Sequence, residues 1–106
     1  MRPAIYGYLR ATAVTLTDGP AERTRRELAE YAEREGFTLD NVFTEQVECS
    51  ESAFNTMLDA LKRGEVRHMV VPSLEHFTHL SGLQDAIRQH VRRETGACIW
   101  VVRGQR

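Results

Sequence analysis

Four short apolar runs punctuate the chain, at residues 4–9, 37–44, 68–71 and 97–102, and three stretches with apolar residues at helical spacing separate them. That alternation leaves few folds open. Consecutive strands joined by helical crossovers lie parallel and must be covered on both faces. The order β-α-β-α-β-α-β therefore predicts an α/β fold, a three-layer α/β/α arrangement around a mainly parallel four-stranded sheet.

The first run is rich in β-favouring residues, Ile5, Tyr6, Tyr8 and Leu9. After a threonine-rich loop, a helix is expected to start at Pro20, where a missing N–H costs nothing, with Asp18 near its cap. Leu28, Tyr31 and Ala32 form its inward face, and Gly36 stops it. The second strand centres on Leu39, Val42 and Phe43 and is interrupted at Asp40-Asn41. Residues 45–52 read as a polar loop in which Ser50 or Ser52 caps the next helix. Phe54, Met57, Leu58 and Leu61 give that helix its core stripe, and Lys62-Arg63-Gly64 ends it. His68 to Val71 reads as a fully buried strand closed by Pro72. A third helix is expected from about Ser81 to Gly96, with Leu83, Ala86, Ile87 and Val91 inward. Residues 97–102 read as a last buried strand, and Tyr6, Tyr8, Phe54 and Trp100 as core rather than a platform for a ligand.

At 106 residues the chain is expected to be one domain that builds a core without disulfides. No apolar run approaches the ~20 residues of a membrane span. Met1-Arg2-Pro3 leads directly into a strand rather than a signal-peptide core, so a cytoplasmic location is expected, with no membrane partner. Cys49 and Cys98 lack companions at metal-ligand spacing and are expected to be reduced thiols. Cys98 is expected to be buried, and Cys49 to be a poor nucleophile between Glu48 and Glu51.

Net charge is −1 and the pI is near 6.4, which argues against a dedicated nucleic-acid binder. The charge is nonetheless unevenly spread. From Glu27 to Glu51 eight acidic residues stand against the single Arg34, whereas from Lys62 onward eight basic residues stand against four acidic ones. Solvated faces explain most such runs. The functional alternative is a pair of surfaces of opposite sign, suited to head-to-tail self-association or to an oppositely charged protein.

In an open α/β sheet the chemistry gathers at the carboxyl ends of the strands. There the first strand delivers Arg10 and then the hydroxyl of Thr12. No glycine-rich phosphate loop, Gly-x-Ser-x-Gly elbow or Cys-x-x-Cys is present. Tyr8-Leu9-Arg10-Ala11-Thr12 resembles instead the Tyr-x-Arg-Val-Ser opening of the resolvase/invertase catalytic domain of serine recombinases. The resemblance runs from Ile5 to Val102. Phe43-Thr44-Glu45 leading to Phe54-Asn55-Thr56-Met57-Leu58 is similar to that family's acidic loop and following helix. Met69-Val70-Val71 followed by Leu74-Glu75-His76-Phe77-Thr78-His79 is similar to its strand and Leu-Asp-Arg-Leu-x-Arg segment.

The resemblance implies a phosphoryl-transfer site in which a serine attacks a DNA phosphodiester and several arginines neutralise the developing charge. Of those arginines it leaves only Arg10. Thr12 stands at the nucleophile position with a hindering methyl group. Glu51 stands where an arginine is expected before the second helix, Glu75-His76 replaces the Asp-Arg pair, and His79 replaces a further arginine. The expectation is a resolvase-like domain over residues 1–106, without the family's long dimerising helix or DNA-reading domain, that has lost recombinase activity. It would act as a regulatory or protein-interaction module through a protein partner or self-association, binding DNA only weakly. The alternative is a divergent strand-transfer enzyme with Thr12 as nucleophile, completed by partner chains. Arg10 is expected to pair with Glu51 or Glu75, or else to bind an anion. A metal site at His76, His79, Glu75 and Glu51 can be drawn, but chance spacing accounts for it; a hydrolase built on Thr12, His and Glu needs a base within reach and an oxyanion site, and the sequence shows neither. No cofactor or metal is expected. His68 is expected at a strand start and His90 on the exposed or boundary face of the third helix.

Overall fold

A computed structural model describes residues 2–11, 20–46, 52–73, 76 and 81–103. Asp18, Cys49, Ser50 and four of the expected site residues, Thr12, Glu51, Glu75 and His79, lie outside them. The elements are β1 (Ala4–Ala11), α1 (Pro20–Arg34), β2 (Thr38–Gln46), α2 (Ala53–Lys62), β3 (His68–Val71), α3 (Ser81–Thr95) and β4 (Cys98–Val101). The four strands form one all-parallel sheet in the order β2-β1-β3-β4.

Alternation along β1 divides the core into two layers. Ile5 and Leu9 face α1, where they meet Leu28, Ala32 and Phe37. Tyr6 and Tyr8 face α2 and α3, where they meet Met57, Leu58, Leu61 and Val91. Gly7 stands between Ile5 and Leu9 on the α1 side. A Cβ there would come within 3.0 Å of the Leu28 side chain and 3.2 Å of Val42, so the missing side chain is what lets α1 approach the sheet.

The helix ends follow local chemistry. At the end of α1, Gly36 takes φ 87° and the Phe37 N–H donates back to the Ala32 carbonyl at 2.7 Å. That reversal drops Phe37 into the core beside Ala32. Ser52 is the N-cap of α2, its hydroxyl accepting from the Asn55 N–H at 3.1 Å. The break expected at Asp40-Asn41 is a bulge: Ile5 pairs with Leu39 and Tyr6 with Asn41, leaving Asp40 unpaired. His68 opens β3 as expected. It is half-buried, stacks 4.7 Å from Phe37, and accepts a hydrogen bond at Nδ1 from the Trp100 indole at 3.2 Å. Burial lowers its pKa below the ordinary histidine value.

Three expectations are corrected. The last strand is not buried but lies at the sheet edge, and its residues are exposed or half-exposed. Cys98 is consequently an exposed free thiol rather than a core residue. It lies on the same face of β4 as Trp100, and the helix on that face, α1, packs over β1, β2 and β3. Third, α3 is anchored by its C-terminal half, where Val91 is fully buried, while Ala86 is exposed and Leu83 is 49% exposed. Ile87 is half-buried against the α2 side of the core.

Candidate functional site

In a sheet ordered β2-β1-β3-β4 the chain leaves β1 to one side for β2 and returns on the other side for β3. A crevice opens at the carboxyl ends of β1 and β3, the position where open α/β sheets bind ligands. Arg10 stands there, half-exposed, one residue before the end of β1. The turn after β3 brings in His76, whose backbone N–H donates to the Ser73 carbonyl at 3.1 Å.

The two meet directly. The Arg10 backbone N–H donates to His76 Nδ1 at 2.9 Å. An Nδ1 that accepts a hydrogen bond carries no proton, so in this geometry the imidazole is neutral, with its proton on Nε2. Of the residues expected to converge at this crevice, Arg10 and His76 are thus brought together. Among the described residues no carboxylate lies within ion-pair distance of the Arg10 guanidinium.

Glu45, read from the sequence as the first residue of a polar loop, belongs instead to β2, directly opposite Arg10 in the parallel register. Its Oε1 accepts the Phe54 N–H at 3.0 Å, the Tyr8 hydroxyl at 3.4 Å and the Ser52 hydroxyl at 3.5 Å. It joins the end of β2 to the first turn of α2, where the N–H groups need acceptors and the helix dipole favours a negative charge. Burial raises the Tyr8 pKa well above the tyrosine value, with the Glu45 carboxylate adding to the rise and Arg10 opposing it. The phenol therefore stays protonated and donates. Sequence reasoning passed over Glu45 as a site residue; the available signal was an acidic residue closing a strand a few positions before a Ser-x-x-Asn helix start.

Replacing Glu45 with alanine strips partly buried donors of their acceptor and is expected to lower stability by about 1–3 kcal/mol. Glu45→Gln, which keeps an oxygen acceptor, is expected to cost less, and urea unfolding midpoints give the comparison. The Tyr8 pKa is expected to fall in both variants yet stay above the ordinary value, since burial is its larger cause; tyrosinate absorbance against pH reads this.

The crevice thus holds a fixed cation, a neutral imidazole and a carboxylate already engaged by a helix start, a phenol and a hydroxyl. Among the described residues no three histidine, cysteine, aspartate or glutamate side chains are grouped so as to hold a metal ion.

Comparison with solved structures decides what kind of scaffold this is. The chain matches the C-terminal catalytic domain of ISC1926 TnpA, an IS607-like serine recombinase, with a TM-score of 0.78 over 97% of this chain and 72% of that one. The fold is that of a serine recombinase catalytic domain. Identity to that domain is 16%, so the likeness is one of fold. The N-terminal catalytic domain of TP901-1 integrase matches with a TM-score of 0.77 at 13% identity, covering 93% of this chain and 77% of that one. A resolvase family site-specific recombinase from Streptococcus pneumoniae matches at 0.67 and 19% identity, covering 95% and 72%. No protein-family model and no curated protein matches the sequence. The resemblance read from the Tyr8-to-Thr12 opening and from the Phe43 and Met69 segments is therefore upheld as a recombinase fold. Among the described residues no helix is long and apolar enough to cross a membrane.

Proposed function

We propose that this chain is a serine-recombinase-fold domain that no longer carries out strand transfer and acts by contact with other proteins, as a regulator or assembly partner. The observation that carries this reading is the hydrogen bond from the Arg10 N–H to His76 Nδ1. The resemblance puts an arginine at this position, and here stands an imidazole whose Nδ1 accepts a hydrogen bond, a group without arginine's fixed charge. Loss of one donor to a developing anionic charge typically costs about 10²–10³ in rate. Glu51, Glu75 and His79, at the other altered positions, would add two carboxylates and no fixed cation. Cytoplasmic placement belongs to the same reading.

The test is a covalent-adduct assay. The chain is incubated with a pool of nicked DNA suicide substrates, alone and with candidate partner recombinases, and resolved under denaturing conditions. No DNA is expected to travel with the protein.

A second reading is favoured by Arg10, a cation at the crevice mouth with no carboxylate among the described residues at ion-pair distance. In it Thr12 attacks the phosphodiester while a partner chain supplies the missing arginines. A denaturation-resistant adduct that disappears in Thr12→Val would establish that reading and end the first.

A further inference from the structure

Among the described residues the fold engages only Glu27, through Arg103, of a charge pattern on the exposed side of α1. Arg23, Arg26, Glu27 and Glu30 occupy i, i+3, i+4 and i+7 positions, one face of the helix. With Thr24 and with Arg103, just beyond β4, they line an open cleft of about 440 Å³. Within a single chain this arrangement gains little. Arg23 lies in the first turn of α1, against the preference of the helix dipole. The i,i+4 pairs, Arg23 with Glu27 and Arg26 with Glu30, run arginine first, the weaker orientation. Among the described residues neither pair reaches ion-pair distance, and Glu27 is met only by Arg103 at 3.8 Å.

The same order becomes complementary when a second α1 lies antiparallel across it. With a two-fold axis passing between Arg26 and Glu27, Arg23 faces the partner's Glu30 and Arg26 faces the partner's Glu27. Both contacts are repeated by symmetry, as an isologous interface requires. A parallel partner in register, or an antiparallel one shifted by four residues, would set like charges together. The antiparallel arrangement also opposes the two helix dipoles.

We propose that this face of α1 is a self-association surface whose partner is a second copy of the chain, paired antiparallel through Arg23, Arg26, Glu27 and Glu30. This names the contact in the protein-interaction reading and rests on it. It replaces the head-to-tail arrangement expected from the charge distribution with a closed two-fold one. Glu27 and Glu30 discriminate against nucleic acid, since a phosphate backbone in the cleft would meet their carboxylates. Exposed ion pairs contribute little each and are screened by salt, so the dimer is weak and salt-sensitive.

Sedimentation velocity of the purified chain at about 10 mM and about 1 M salt, where the screening length falls from ~30 Å to ~3 Å, is the first measurement. A dimer at low salt and a monomer at high salt are expected. Arg23→Glu with Arg26→Glu is expected to be monomeric at low salt, and Glu27→Arg with Glu30→Arg likewise. Mixing these two variants in equal amounts is expected to restore a dimer, an outcome that misfolding of either cannot produce. Arg92→Glu with Arg93→Glu on α3 is expected to leave the wild-type dimer intact.

A wild-type monomer at both salts, or no rescue on mixing, overturns the proposal. So does a dimer that survives the α1 reversals or is lost in the α3 variant, either of which moves the contact elsewhere and leaves the protein-contact reading standing. Binding of a duplex DNA oligonucleotide that is lost in Arg23→Glu with Arg26→Glu also overturns it, by giving the cleft a different occupant. A covalent DNA adduct in the assay above overturns the non-catalytic reading whatever the sedimentation result.

Discussion

Leu28→Ala is expected to lower the stability of this chain by about 2–5 kcal/mol. Leu28 is fully buried and is the side chain that α1 inserts between Ile5, Leu9 and Val70. Among the described residues one helix covers that face of the sheet, and no second helix stands ready to collapse into the space vacated. The cost is therefore expected in the upper part of the range, a large fraction of the ~5–15 kcal/mol typical of a whole domain. Urea denaturation followed by Trp100 fluorescence gives the measurement, because Trp100 packs on the same layer. A loss under about 1 kcal/mol would mean that α1 is not docked as described.

Gly7→Val is expected to be the second large effect. Even the first carbon of a side chain at this position would lie 3.0 Å from Leu28 and 3.2 Å from Val42, and valine adds two further methyl groups. Overpacking of this kind costs typically about 1–3 kcal/mol and occasionally more. The stiff Val42 gives way less readily than a long side chain does. The two sites are in contact, so their effects should not add. Gly7→Ala made on top of Leu28→Ala is expected to cost less than Gly7→Ala alone, because the truncation makes room for the new methyl. A thermodynamic cycle over these variants gives a coupling whose sign depends on the close approach of α1 to β1.

Much of this fold was legible because its signals are local. Pro20 and Gly36 mark the ends of α1, Ser52 caps α2, and Met57, Leu58 and Leu61 fall on one buried face. The interruption at Asp40-Asn41 was legible as a break in apolar spacing and is a bulge. Strand order is different, because an apolar run reads alike in the middle of a sheet and at its border. Cys98 was therefore expected to be inside, and its exposure follows from the place of β4 in the sheet. Leu83 and Ala86 keep a helical period, but a period states that one face differs from another and not how far along the helix its neighbours reach.

At the crevice, the residue types at Arg10 and His76 were readable, and so was their proximity, through the resemblance. The backbone donor that fixes the His76 tautomer was not, since it depends on one N–H at the end of β1. The three hydrogen bonds to Glu45 Oε1 depend on the parallel register that sets Glu45 opposite Arg10. Pairing of that kind is a long-range property that no run of neighbouring residues encodes.

The bulge at Asp40 has a bearing on how the molecule behaves when crowded. Its strand forms one border of the sheet, and there Asp40 is left out of the pairing while the Asn41 side chain accepts the Val42 N–H at 2.9 Å. A kinked border with a charge on it, and with an amide already engaged, is a poor template for an incoming strand. The opposite border, Cys98 to Val101, has no described bulge and no acidic side chain. Any runaway stacking of sheets should therefore begin at β4. Under oxidising conditions a Cys98–Cys98 disulfide would link chains paired at that border two by two, so storage with a reductant should slow the accumulation of linked pairs.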